Sequence, residues 1–162
     1  MNQLDGQRLR EKVIESIHEK KEKTLVGIKE VLAKNHPEKT NVLLFDTELD
    51  GEFLAVVAYS AESVSHPHPH PTHVISVDLT QYIDFDELPL DEEEDEDTEL
   101  EDELIEFGRN YFVKWFAKCF EEAGGKNYPL PCMIRDADRD RYYHLQENRW
   151  LDNESFNLKA AF

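Results

Sequence analysis

The residues with the greatest chemical potential lie in a tract of alternating histidine and proline, SHPHPHPTH at residues 65–73. His66, His68, His70 and His73 place four imidazoles within eight residues, and imidazole ligates zinc, copper or nickel. The same tract argues against a tight site. Its prolines hold the chain extended and keep its backbone out of sheet ladders. No carboxylate or cysteine lies among them as a fixed partner, and strong sites draw ligands from separate rigid elements. The plainest reading is a stiff loop with weak metal affinity. A metal-handling protein is the rival to the main functional reading developed below.

Two acidic patterns come next. Asp136, Asp138, Asp140 and Glu147 fall at positions 1, 3, 5 and 12 of a calcium loop. Position 6 of such a loop turns sharply and calls for glycine, but here it is Arg141. Tyr142, Tyr143, His144 and Leu145 then read as strand, so a hairpin explains the same residues without a metal. The other pattern is a run of seven carboxylates: Asp91, Glu92, Glu93, Glu94, Asp95, Glu96 and Asp97. Such a run repels itself and stays loosely held unless a basic partner neutralises it. Its plain reading is a solvated linker, and its functional reading is a partner-binding surface.

Nothing else in the chain reads as chemistry. GxSxG, HExxH and GxGxxG are absent, and Gly124-Gly125-Lys126 lacks the spacing and preceding strand of a phosphate loop. No catalytic residue and no cofactor is predicted, and the chain is read as a non-enzyme; the alternative, beside metal handling, is an enzyme whose site is assembled in space from scattered His and Asp residues.

Charge narrows the partner. The formal net charge is −18. Residues 84–103 contain fourteen acidic residues and no basic one, and removing them leaves 22 acidic against 18 basic, a net of −4. One segment therefore carries most of the field. Direct binding to nucleic acid or to an anionic membrane is disfavoured, and a basic protein partner is favoured. The N-terminal MNQLDGQRLREK has no apolar run, so no signal peptide is expected. Eighteen consecutive apolar residues occur nowhere. Two cysteines, Cys119 and Cys132, without CxxC spacing suggest no disulfide framework and a cytoplasmic setting.

The elements that must position these groups are legible from periodicity. Residues 98–125 form the organising helix: Leu100, Leu104, Phe107, Tyr111, Phe112, Trp115, Phe116, Cys119 and Phe120 recur at intervals of three and four. Six of the seventeen aromatic residues fall between Phe107 and Phe120, which makes this helix a wall of the core. Glu103, Glu106, Asn110, Lys114, Ala117 and Glu121 fall mainly on the other side. Thr98 and Glu101 suit a capping box, and Gly124-Gly125 suits a left-handed helix end. Residues 3–34 read as a second long helix, with Leu9, Val13, Ile17, Thr24, Ile28 and Val31 on one face. Its stripe weakens at residues 18–23, where a break is expected. Strands are expected at residues 41–45, 52–60 and 72–79, with a turn at Asp50-Gly51. FLAVVAYS is apolar almost throughout and predicts a strand buried on both faces. Shorter strands are expected at 132–135 and 141–146, with a last edge segment at 149–151.

The stretches FGRNYFVKWFAKCFEEAGG, YPLPCMIRD and HLQENRW, in this order of elements, resemble small bacterial proteins that include immunity proteins of polymorphic toxin systems, such as the SUKH superfamily. The resemblance is carried by the C-terminal third. It implies an acidic α+β domain that binds and blocks a cognate toxin, and it brings no catalytic residue with it. The expectation is thus one α+β domain over residues 1–162, with an antiparallel sheet of about four to six strands. Two long helices pack on one face, and an acidic connector runs over 84–98. Its expected role is non-catalytic recognition of a basic protein partner, of the immunity or regulatory kind.

Overall fold

A computed structural model describes residues 3–50, 53–63, 66–67, 73–77, 94–136 and 141–151. Of these, 3–5, 48–50, 53–54, 63, 66–67, 73–77 and 94–101 are described by backbone alone. The fold is α+β, with helices laid on one face of a mostly antiparallel sheet.

The N-terminal segment forms two helices, α1 (Gln3–His18) and α2 (Lys21–Ala33). The break falls in the lysine- and glutamate-rich stretch where the apolar stripe fades, and the Lys20 N–H reaches back to the Ile17 carbonyl at 3.1 Å. All six residues of the expected face are buried: Leu9, Val13 and Ile17 on α1, Thr24, Ile28 and Val31 on α2. Pro37 follows α2, whose C-cap Lys34 is already extended (ψ 148).

Strands β1 (Val42–Asp50) and β2 (Phe53–Ser63) make an antiparallel hairpin in which Asp50 faces Phe53. Of the expected turn at Asp50-Gly51, Asp50 is instead the last residue of β1, and Gly51 lies outside the described residues. β1 is longer than expected, running through Asp50. β2 is buried along both faces from Ala55 to Ala58, as its continuous apolar run predicted. β4 (His73–Val77) adds to it antiparallel, Ala58 opposite His73.

The tract of prolines needs a correction. Its first residues form β3 (His66–Pro67), which pairs with Ser63 and Ala61 of β2 across a bulge. Proline lacks a donor, yet its carbonyl still accepts, and an edge position tolerates it.

Helix α3 (Glu94–Glu122) starts four residues before Thr98, so Thr98 lies inside the helix and does not cap it. Carboxylates in a first turn meet the positive end of the helix dipole, which favours extending the helix into the acidic run. The expected connector at 84–98 thus falls outside the described residues up to 93, and its last five residues are helical. At the other end Gly124 takes φ 90, the left-handed conformation expected there.

α3 packs against α1, α2 and β5. Phe112, Phe116 and Phe120 are fully buried, with the Phe116 ring 5.2 Å and the Phe120 ring 6.2 Å from Phe45 of β1. Ala117 and Val113 are buried too, against the expectation for Ala117. A helix covered by both the sheet and a helix pair buries more of its circumference than one covered on a single side. Along the α1–α3 seam, Arg10 sits 5.3 Å over the Phe107 ring and His18 Nε2 lies 2.7 Å from Tyr111 Oη.

The C-terminal part supplies β5 (Cys132–Asp136), β6 (Arg141–His144) and β7 (Arg149–Trp150). The sheet order is β3-β2-β1-β5-β6-β7, with β4 also on β2. One pairing departs from the antiparallel expectation: β5 runs parallel to β1, Leu43 opposite Cys132. The chain between these two strands includes α3, the crossover that a parallel pair requires. The main core lies between sheet and helices. A smaller cluster of Val42, Leu44, Ala61, Met133, Tyr142 and Leu151 occupies the other sheet face.

Candidate functional site

The acidic run is positioned by α3. Glu94, Glu96, Asp95 and Asp97 stand in its first turn, while Asp91, Glu92 and Glu93 lie outside the described residues. Asp102, Glu103 and Glu106 continue the charge as exposed side chains. Leu104 is then 1% exposed, and every turn beyond it inserts apolar side chains into the core. One half of this helix is anchored and the other half carries carboxylates.

The histidine tract is only partly in view. His66 lies opposite Ser63, and His73 opposite Ala58, so five β2 positions separate the two backbones, about 17 Å along the strand. The tract does not hold its first and last histidines side by side. His68 and His70 lie outside the described residues. Among the described residues no group of three or more His, Cys, Asp or Glu is arranged to hold a metal ion.

The calcium-loop pattern resolves as a hairpin. Asp136 pairs with Arg141 in the β5–β6 register, and strand follows where an EF-hand needs helix. Asp136 is 4% exposed. Its Oδ2 lies 3.9 Å from Arg141 Nε, and Arg141 Nη2 donates to Asn110 Oδ1 of α3 at 3.0 Å. The guanidinium also lies 3.7 Å over the Trp150 ring. A cation desolvated on one side by an indole gains from the ring's negative face. This cluster ties α3 to the hairpin.

A second polar cluster was not legible in the sequence. His36 Nδ1 lies 2.8 Å from Ser60 Oγ, with the Tyr128 ring edge-on at 6.4 Å. Burial lowers the His36 pKa below the ordinary histidine range, the Val31 carbonyl opposes that shift, and Lys34 adds to it. The distance suits a nucleophile and its base, but Ser60 is 2% exposed and no substrate reaches it. Among the described residues no carboxylate bonds the ring's other nitrogen to orient it. The pair fastens the α2–β1 connection to β2.

Nearby, the side-chain amide of Gln146 completes the sheet margin. It donates to the Leu130 carbonyl at 2.7 Å and accepts from the Cys132 N–H at 2.9 Å, as a further strand residue would. Cys119 and Cys132 are both free and buried. Burial pushes the Cys119 thiol up to about 11 and raises Cys132 further, so neither is a thiolate at neutral pH. Among the described residues, no helix is long and apolar enough to cross a membrane. The polar clusters are structural ties, which leaves the acidic half of α3 as the candidate site. No family model matches this chain, and neither the curated proteins nor the solved structures contain a match to it.

Proposed function

We propose that this chain is a non-catalytic acidic binding protein, immunity-like or regulatory, that recognises a basic protein partner through the acidic start of α3. The observation that carries the reading is the division of that one helix. Phe112, Phe116 and Phe120 lock its second half into the core, while its first turns are built from the acidic run. The backbone of residues 94–97 is already helical, so a partner does not bear the cost of ordering that stretch. Its field also steers a cation-rich surface towards the chain. A toxin is the partner that the resemblance of the C-terminal third implies.

Affinity capture tests this. The chain and a variant with residues 91–97 changed to Asn and Gln are immobilised in parallel, and the proteins retained by each are compared. Basic proteins held by the chain and lost by the variant support the reading. An acidic best partner, or equal retention by both baits, removes it.

A further inference from the structure

Side chains of a strand alternate between the two faces of its sheet, and here both faces are buried. The helices cover one of them. The other carries Val42, Leu44, Ala61, Met133, Tyr142 and Leu151, each 9% exposed or less, and no helix residue belongs to that cluster. The pairing puts them on one side: Val42 stands opposite Ala61, and Leu44 opposite Met133. A bare sheet face would leave such side chains open to water, because only the strand backbones lie beneath them. Their exposures are those of one chain by itself, so the burial is not the work of a second molecule.

Leu151 selects the occupant. It is the last of the described residues, it is buried in this cluster, and its N–H donates to the Tyr142 carbonyl at 2.9 Å. The chain therefore leaves from the margin of this face. Residues 152–162 reach about 36 Å when extended, whereas crossing from β6 over β5 and β1 to β2 takes three strand spacings, about 14 Å. Their pattern suits a cover with one apolar side. Phe156 and Leu158 alternate with Ser155, Asn157 and Lys159, and no carboxylate follows Glu154. Residues 78–93 suit it less well, because seven of the sixteen are Asp or Glu and they must deliver the chain to α3 in the helix layer. We propose that residues 152–162 lie across the second sheet face as a strap and seat Phe156 and Leu158 on the cluster around Leu44 and Met133. The strap is independent of the acidic-recognition reading. It makes this apolar face a docking surface that the chain itself occupies.

Two neighbouring residues provide the test. Cys132 and Met133 are both 0% exposed, but Cys132 belongs to the helix-side core and Met133 to the second face. The full chain and its Phe156→Ser/Leu158→Ser variant are treated with hydrogen peroxide and, separately, with a thiol reagent, and both positions are followed by mass spectrometry. Loss of the strap should speed oxidation of Met133 by about tenfold or more and leave labelling of Cys132 unchanged. Unchanged oxidation of Met133 overturns the proposal. So does a Met133 response to Ile83→Ser/Phe85→Ser that exceeds the response to the strap variant, which gives the cover to residues 78–93. A matching rise at Cys132 marks general unfolding, and a photo-cross-linker that keeps an aromatic side chain then decides. With p-benzoylphenylalanine at position 156 of the full chain, cross-links to Leu44, Met133 or Tyr142 within one chain support the strap. Cross-links to the helices, or between two chains, overturn it.

Discussion

The end of α3 allows two adjacent glycines to be separated by mechanism. A Cβ built on Gly125 meets three atoms of the Phe120 ring at 2.4, 2.4 and 2.6 Å. Contacts this short require movement, but Phe120 is fully buried and packs on Phe45, so its ring has nowhere to go. Overpacking of this kind costs typically ~1–3 kcal/mol, and the stiffer unfolded chain of an alanine variant returns somewhat less than 1 kcal/mol. Gly125→Ala should therefore destabilise the protein by roughly 1–2 kcal/mol, at about 2–4 °C in Tm per kcal/mol for a chain of this size. Gly124 is the opposite case. Its Cβ would meet nothing within 4 Å, but its φ of 90 lies in the left-handed region. Gly124→Ala should cost ~1–2 kcal/mol through backbone strain alone. Urea unfolding followed by circular dichroism measures both, and Phe120→Leu distinguishes them. A smaller side chain at 120 relieves the clash at 125, giving a coupling of at least ~1 kcal/mol in the double-mutant cycle. It leaves the strain at 124 untouched. A Gly125→Ala loss below ~0.5 kcal/mol, or equal coupling of Phe120→Leu to both alanines, refutes the packing argument.

Three further outcomes follow from the ties described above. Gln146→Ala should lose about 2 kcal/mol in urea unfolding, because the Cys132 N–H loses its side-chain partner and the Leu130 carbonyl keeps only the weak Cys132 thiol donor at 3.4 Å; a loss within ~0.5 kcal/mol contradicts the strand-like role of that amide. His36 has a folded pKa below its unfolded value of 6.5, so the neutral ring contributes stability above that pH. That contribution should fade as pH falls through 6.5 towards the lower folded value, and the stability gap between the chain and His36→Gln should shrink with it. A gap that widens on acidification reverses the sign and disproves the account of that residue. The thiols of Cys119 and Cys132 should resist aromatic disulfide reagents at pH 8 in the native protein and react fully in denaturant. Rapid labelling of the native chain is the contrary result.

Periodicity made the helices legible because burial repeats at every turn. Leu9, Val13, Ile17, Thr24, Ile28 and Val31 share one face and all are buried. The break near His18 was visible as a loss of that repeat. Ala117 was misassigned because a small residue carries little signal and the helix pair covering that side is invisible locally. Thr98 offered a capping pattern, but the carboxylates before it extend the helix and move its start to Glu94. The parallel pairing of β1 with β5 depends on a crossover spanning dozens of residues, which no short pattern encodes. The acidic run was plain in the sequence, although the helical backbone of its residues 94–97 was not. The Arg141–Trp150 and His36–Ser60 ties join residues nine and 24 positions apart, and ordinary residue types at such distances give no warning.

The central claim is that carboxylates held at the start of α3 govern association with a basic partner. The most direct measurement is the association rate of a captured partner with the chain and with the variant neutralised at 91–97, followed over a range of ionic strength. The expected rate falls steeply with salt for the chain and is slower and nearly independent of salt for the variant. Identical salt dependence for the two proteins contradicts it.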